Sequence, residues 1–310
     1  MHDPLPSLPF AREATDRDDA ARGRPDLLAR LWADPDARVL CLRGDRALRD
    51  AHGLDLRPPL ELGPAAPAAA TPGGLGRPRR AGRHPAGTAL LSIDRDEAPA
   101  RRLGPDAGAW ADLRACACEL DELEQGLFAT ALAMRNWHEA HGFSPRTGAA
   151  TVPESAGWVR RAPGEEHAVF PRTDAAVIAA VVDGAGRILL GANVRWRPRR
   201  FSLLAGFVEP GESFEAAVAR EVMEEAGVRV VRPRYLGSQP WPFPASVMVG
   251  FGCELAPDQD PEELRPDPAE IAELRWWTRE QIAAEPHLLP PRPSIARVII
   301  EEWYGGPLGG

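Results

Sequence analysis

Between Gly206 and Val228 the chain reads GFVEPGESFEAAVAREVMEEAGV, and the spacing of charges and glycines in this stretch constrains the fold more than any other feature. Ser213 to Ala226 contains no Pro or Gly and is rich in Glu, Ala, Val, Met and Arg, which predicts a helix. Ser213 follows the loop Glu209-Pro210-Gly211-Glu212 and is placed to cap its start. Gly227 stands where a helix C-terminal glycine belongs. Glu221 and Glu225 are i and i+4, so they share a face that Glu224 borders. Phe214, Val218 and Val222 form the stripe expected to pack inward. An apolar run, Ser202-Leu203-Leu204-Ala205, precedes the loop, and a β-branched run, Val228 to Val231, follows the helix.

Carboxylates this close repel one another and take up protons unless a cation neutralises them. Hard divalent ions such as Mg2+ or Mn2+ prefer such oxygens. They can bridge a pyrophosphate, activate water and stabilise a leaving oxygen. The bland alternative is a solvated acidic helix face.

The complete spacing decides between these. Gly206, Glu212, Arg220, Glu221, Glu224, Glu225 and Gly227 match every fixed position of G-x5-E-x7-R-E-U-x-E-E-x-G-U, where U is aliphatic. The stretch therefore resembles the signature of the Nudix hydrolases. The resemblance implies metal-assisted hydrolysis of a nucleoside diphosphate linked to another moiety. It assigns metal binding to Glu221, Glu225 and the Ala205 carbonyl, and gives Arg220 an ion pair with Glu212 that holds the acidic loop. Glu270, in Ala269-Glu270-Ile271-Ala272-Glu273, sits where the family has a further metal-binding glutamate.

A second motif narrows the substrate. Ser238-Gln239-Pro240-Trp241-Pro242-Phe243-Pro244-Ala245-Ser246 resembles the SQPWPFPxS motif of the NudC-type NADH pyrophosphatases. Prolines alternating with aromatics make a stiff loop with little entropy to lose on binding. Such a loop can hold Trp241 and Phe243 near a planar base, while Gln239 and Ser246 offer hydrogen bonds. Asn136-Trp137-His138, Pro171-Arg172-Thr173-Asp174 and Pro290-Pro291 to Ser294-Ile295-Ala296-Arg297 extend the resemblance from about Leu113 to Trp303. Phe207 is expected to stack on nicotinamide. Phe170 and Ala296 stand where relatives have an aromatic and a backbone contact to substrate.

The resemblance implies an NAD(H) pyrophosphatase that yields nicotinamide mononucleotide and AMP, works as a homodimer with a shared active site, and also removes NAD caps from RNA 5′ ends. Two alternatives stay open: a Nudix hydrolase of ADP-ribose or an oxidised nucleotide, and a Nudix-fold module that senses a dinucleotide without cleaving it. The intact acidic set argues against the sensor.

One departure stands out. Many relatives carry a zinc ribbon, C-x2-C-x14-C-x2-C, before the catalytic domain. Here Ser144, Thr147, Ala162 and Glu165 take the four ligand positions. Ser, Thr and Ala with one Glu cannot build a tetrahedral zinc site. A ribbon-like module without zinc is expected, held by packing around Trp158 and Phe170.

The expected fold class is α/β: a Nudix-fold α/β/α sandwich with a mixed sheet over 173–310, preceded by a Nudix-like α+β domain over 1–137 and the ribbon-like module over 138–172. In the first domain, Asp26 to Trp32 and Ala109 to His141 read as helices, Arg38 to Leu42 and Thr88 to Ile93 as strands, and residues 58 to 88 as a flexible excursion. In the last, Ala175 to Val182 and Ile188 to Val194 read as a hairpin, followed by strands over Arg229 to Leu236, Ser246 to Leu255 and Ile271 to Thr278, then a helix over Ser294 to Tyr304.

The net charge of -8 argues against a duplex-DNA binder and gives RNA binding no electrostatic support. All 37 basic residues are Arg. Arg195, Arg197, Arg199 and Arg200 cluster ahead of the signature and could attract phosphates. Cys41, Cys116, Cys118 and Cys253 lack metal-site spacing and read as incidental thiols. The sequence has neither an apolar run long enough to span a membrane nor a signal-peptide core, so a cytoplasmic location is expected.

Overall fold

In a computed structural model that describes residues 8–11, 14–63, 73–79, 83–196 and 200–309, runs of strands are separated by helices. The first elements are β1 (Thr15–Asp16), α1 (Asp19–Arg22), α2 (Leu27–Ala33), β2 (Arg38–Arg43), β3 (Arg46–Asp50), β4 (Gly53–Leu54) and β5 (Leu56–Arg57). Then come β6 (Gly73–Pro78), β7 (Leu90–Asp94), α3 (Glu97–Leu103), β8 (Trp110–Asp112), α4 (Leu113–Cys116), α5 (Glu122–Ala140), β9 (Val152–Glu154) and β10 (Val159–Arg161). The second half holds β11 (Asp174–Val182), β12 (Ile188–Asn193), β13 (Leu204–Phe207), α6 (Phe214–Ala226), β14 (Val230–Trp241), β15 (Ser246–Leu255), β16 (Ile271–Trp277), α7 (Arg279–Ala284) and α8 (Ile295–Tyr304).

Two compact units result. One comprises Asp174–Pro240 and Ser246–Gly310 with the N-terminal segment up to Ala11; the other comprises Arg12–Thr173 and Trp241–Ala245.

The unit that carries the signature is a three-layer α/β/α sandwich. Its sheet runs β14-β15-β11-β12-β16, with β13 on β11. β11 is parallel to β15 and antiparallel to β12 and β13, so the sheet is mixed. Period-two alternation along β11 sends its side chains to opposite layers. Val177, Ala179 and Val181 join Ala217, Val218, Val222 and Ala226 of α6 in one core. Ile178 and Ala180 join Ile295, Ala296, Ile299 and Ile300 of α8 in the other. Phe214 is the exception to the expected inward stripe: it is 41% exposed, because Ala217 and Ala226 complete the buried face instead.

The other unit is built on an eight-stranded sheet ordered β1-β6-β7-β2-β3-β4, with β5 on β2 and β8 on β3. Its core gathers Trp32, Val39, Cys41, Leu48, Leu91, Ile93 and Trp110. Two expectations are corrected here. The long helix over 109–141 is broken, because Asp121 and Glu124 form a capping box that starts α5 afresh. The excursion over 58–88 contains strand β6, paired with β7 and β1; its residues 64–72 and 80–82 lie outside the described set.

The segment expected to form a zinc-free ribbon contains no cysteine and is organised by strand pairing and hydrogen bonds. β9 and β10 form an antiparallel hairpin. Glu165 accepts hydrogen bonds from Ser144 Oγ at 3.0 Å and from Thr147 Oγ1, while Ala162 is buried. Arg160 ties the hairpin to α5: it donates to Thr151 Oγ1 at 2.7 Å and Thr151 O at 2.8 Å, and meets His138 Nδ1 at 3.0 Å. Trp158 donates to Gly74 O at 2.8 Å beneath the Arg22 guanidinium. Phe170 takes no part in this packing; it is 63% exposed.

Among the described residues no helix is long and apolar enough to cross a membrane.

Candidate active site

The acidic site lies where β13 hands over to α6. Ser213 caps α6, accepting from Ala216 N–H at 3.2 Å. Gly227 closes it at φ 69°, a left-handed conformation that glycine adopts without strain. This fixed helix presents Arg220, Glu221, Glu224 and Glu225 in the register that the spacing predicts.

Arg220 is the hub of the loop side. It donates to both Glu212 oxygens at 2.8 and 2.9 Å, to Phe207 O at 2.9 Å, to Glu221 Oε1 at 2.8 Å and to Glu224 Oε2 at 2.9 Å. The Glu212 pair matches the expectation from resemblance. The contacts to Glu221 and Glu224 go further: the guanidinium reaches the acidic face as well as the loop. Arg220 hydrogen bonds, helped by Glu209 N–H, hold the Glu212 carboxyl down at about 2.

Glu225 is the buried member. Burial pushes its carboxyl up to about 8, and the charge of Glu221 adds to the effect; Ala205 N–H opposes it with a hydrogen bond at 3.2 Å, while Glu270 and Asp267 raise it further. The Glu221 carboxyl is also raised, by burial first, against the pull of Arg220 and with the push of Glu224 and Glu270. Glu221 lies so close to the strand that a Cβ at Gly206 would run into its carboxylate. That close approach explains the glycine at the head of the motif.

Glu221, Glu225 and Glu270 therefore share one negative field at the end of β13. Among the described residues no three His, Cys, Asp or Glu side chains are closed tightly enough to hold an ion as they stand. Arg220 draws Glu221 aside, and Glu270 is exposed. The donor set is nevertheless all oxygen, and a buried carboxyl that ionises only with difficulty requires a cation to do so near neutral pH. These residues fit a hard divalent ion.

The other predicted residues are placed differently. Phe207 is 59% exposed at the end of β13, with its ring open to solvent. Gln239 is fully buried: Nε2 donates to Pro9 O at 3.0 Å and Pro293 O at 2.7 Å, and Oε1 accepts from Ile295 N–H at 2.8 Å. Its amide is committed to backbone, so the expected free hydrogen bond to substrate is not available. Ser246 and Ala296 are buried in the signature unit, whereas Trp241–Ala245 and Phe170 belong to the other unit. Pro240 is exposed, Pro242 buried and Pro244 exposed, and Ala245 is half-buried. Trp241 meets Phe243 edge-on with ring centres 4.9 Å apart. Of the arginine cluster, Arg195 and Arg200 are exposed, and Arg197 and Arg199 lie outside the described residues. Asp267 was not anticipated. It turns the chain into Glu270, accepting from Ala269 N–H with its side chain and from Ile271 N–H with its carbonyl. Its Asp-Pro-Ala pattern after Pro266 is a turn signal that could have found it.

A sandwich with this acidic helix is a Nudix hydrolase domain, and a model of the NUDIX domain matches residues 171–298. The chain belongs to the NudC-type family of Nudix hydrolases. It is 43% identical over 306 residues to the NAD-capped RNA hydrolase NudC of Mycobacterium bovis, covering 94% of this chain and 90% of that protein. It is 38% identical over 201 residues to the NAD-capped RNA hydrolase NUDT12 of Homo sapiens, covering 60% of this chain and 43% of that protein. A solved NUDIX hydrolase from Nitrosomonas europaea is 22% identical, with a TM-score of 0.42 over 54% of this chain and 96% of that one.

Proposed function

We propose that this chain hydrolyses the pyrophosphate of NAD(H), releasing nicotinamide mononucleotide and AMP, and acts in the same way on the NAD cap of RNA. The observation that carries the reading is the Glu225 carboxyl, buried behind Ala205 and surrounded by Glu221, Glu270 and Asp267. That arrangement of oxygen donors would hold a divalent ion, whose charge would offset the mutual repulsion of the carboxylates. Nudix hydrolases work with divalent metal ions, and Mg2+ or Mn2+ suits oxygen donors. Such an ion would supply Lewis-acid stabilisation of the pyrophosphate and activation of the attacking water.

The chain's own residues divide the remaining work. Glu221, Glu225, Glu270 and the Ala205 carbonyl would hold the ion. Arg220 fixes the loop through Glu212 and restrains Glu221 and Glu224. Phe207 offers an open ring to a planar base. The Pro-aromatic loop selects the nicotinamide half, and Phe170, Ser246 and Ala296 are further substrate contacts. The chain divides into an N-terminal domain over 1–137, a zinc-free ribbon over 138–172 and the catalytic domain over 173–310, and works in the cytoplasm as a homodimer.

Incubation with NADH, NAD+, ADP-ribose and NAD-capped RNA in Mg2+ or Mn2+, followed by product analysis, tests the reading. Nicotinamide mononucleotide and AMP from the dinucleotide support it. Tight NAD binding with no product would favour a sensor, and turnover of ADP-ribose alone would favour the broader hydrolase.

A further inference from the structure

The loop Trp241–Ala245 is rich in proline. Pro242 and Pro244 lack an N–H, and Phe243 N–H donates within the loop to Trp241 O at 2.7 Å. The carbonyls of Pro242 and Pro244, one on each side of Phe243, are both taken by a single side chain on α5. Asn136 Nδ2 donates to Pro242 O at 3.1 Å and to Pro244 O at 3.0 Å. A carboxamide has two N–H donors, and both are used.

The amide is not free to flip. Asn136 Oδ1 accepts from Arg135 Nη1 at 3.3 Å. A guanidinium has no acceptor, so the oxygen must face Arg135 and the nitrogen must face the loop. Arg135 is itself anchored, with Nε 3.0 Å from Asp94 Oδ2 and Nη1 2.8 Å from Glu139 Oε2. From a second direction the Arg114 guanidinium lies 4.5 Å from the centre of the Phe243 ring. Phe243 is thus held by its flanking carbonyls, by a cation on its ring and by the edge contact with Trp241.

We propose that Asn136 is a positioning residue for substrate choice: it sets the shape of the Pro-aromatic loop and, through Trp241 and Phe243, the preference for nicotinamide-bearing substrates. The proposal rests on the reading of this loop as the selecting segment. Holding the loop in one shape before substrate arrives lowers the ordering cost of binding. Both donors of the Asn136 amide go to the loop, so its effect belongs to the choice between substrates and to KM more than to kcat.

The test compares kcat/KM for NADH and for ADP-ribose, which keeps the pyrophosphate and adenosine but lacks nicotinamide. Asn136→Asp preserves shape while setting a carboxylate against two carbonyls. The NADH to ADP-ribose ratio is expected to fall about tenfold, chiefly through KM for NADH. Trp241→Ala, measured alongside, is expected to lower the ratio at least as far. Arg114→Ala, at a side chain 54% exposed, loosens the same loop and is expected to shift the ratio in the same direction if Asn136→Asp fails to fold. If Trp241→Ala lowers the ratio while Asn136→Asp, or in its place Arg114→Ala, leaves it within twofold, the proposal is overturned and the loop reading stands. If none of the variants moves the ratio, the loop reading falls and the proposal with it. A lower melting temperature with the ratio intact also overturns it.

Discussion

Arg220 and Glu212 meet through two parallel hydrogen bonds, Nε to Oε1 at 2.8 Å and Nη2 to Oε2 at 2.9 Å. This fork closes the loop over the start of α6 and leaves Nη1 for Glu221 and Glu224. One guanidinium thereby shapes the loop and restrains two of the acidic side chains.

Arg220→Lys keeps the charge but replaces the planar fork with a single ammonium that cannot serve all of these partners. The loss of a charged bidentate pair is expected to lower kcat/KM for NADH about ten- to hundredfold. Initial rates in saturating Mg2+ measure it. A variant as fast as the parent would show that the fork is dispensable.

Glu225 sets a pH dependence of stability in metal-free protein. Its folded carboxyl, raised to about 8, lies above the ordinary glutamate range. A group raised in this way favours the folded state below its unfolded pKa, and the advantage is lost as pH rises through the folded value. The contribution of this one carboxyl to the stability of metal-free protein is therefore expected to fall between about pH 4.5 and pH 8, by up to roughly 4 kcal/mol. Glu225→Gln, which cannot ionise, should lack this contribution, so that its stability relative to the parent rises across the window and exceeds it at pH 8, while activity is lost. Denaturant melts at several pH values in EDTA decide the matter. Parallel curves for the two proteins would remove Glu225 as the source.

Metal binding at the same carboxyl would release a proton, because an ion takes the ionised form. Mn2+ added to unbuffered metal-free protein at pH 7 should release close to one proton per site, and much less at pH 9. A pH-stat titration reads this directly, and Glu225→Gln should abolish the difference. EDTA should stop turnover and Mg2+ should restore it. Release that is equal at both pH values would mean that the ion does not bind at Glu225.

The signature was legible because everything it needs is local: Ser213, Arg220, Glu221, Glu225 and Gly227 all act within one helix and its caps. The strand β11 was equally plain from its own continuous apolar run, Ala175 to Val182. What escaped was set by distant chain. Gln239 looks like a ligand contact in its motif, yet its partners are Pro9, 230 residues away, and Ile295, 56 away. Phe243 looks like a free stacking ring until Arg114 is found against it. The break before α5 is different, since Asp121 and Glu124 spell a capping box in the sequence itself. There the apolar periodicity of the long helix outweighed a local stop signal that was present.

Gln239→Leu fills similar space but strips hydrogen bonds from Pro9 O, Pro293 O and Ile295 N–H. Unsatisfied buried backbone groups are costly, so the variant should lose about 2–4 kcal/mol of stability. Chemical denaturation measures the loss. A variant within about 0.5 kcal/mol of the parent, the range of an ordinary surface change, would show that Gln239 is not a clamp.

The segment proposed as a zinc-free ribbon offers the last test, because Ser144, Thr147, Ala162 and Glu165 interact there in a way that needs no metal. Glu165 takes hydrogen bonds from both Ser144 and Thr147. Their hydroxyl oxygens in turn accept from Arg146 N–H and Ala149 N–H, each at 3.3 Å. These bonds close the first turn, and buried Ala162 fills the remaining corner. No thiolate or imidazole stands at these positions to hold zinc. Purified protein is therefore expected to contain less than about 0.1 zinc per chain by elemental analysis, since oxygen-poor tetrahedral ligation is absent. Glu165→Ala should speed amide exchange at residues 144–149, while exchange in α6, in the signature unit, stays at its parental rate. One tightly bound equivalent of zinc, or unchanged exchange in the turn, would refute the replacement of a metal centre by this carboxylate and its two hydroxyls.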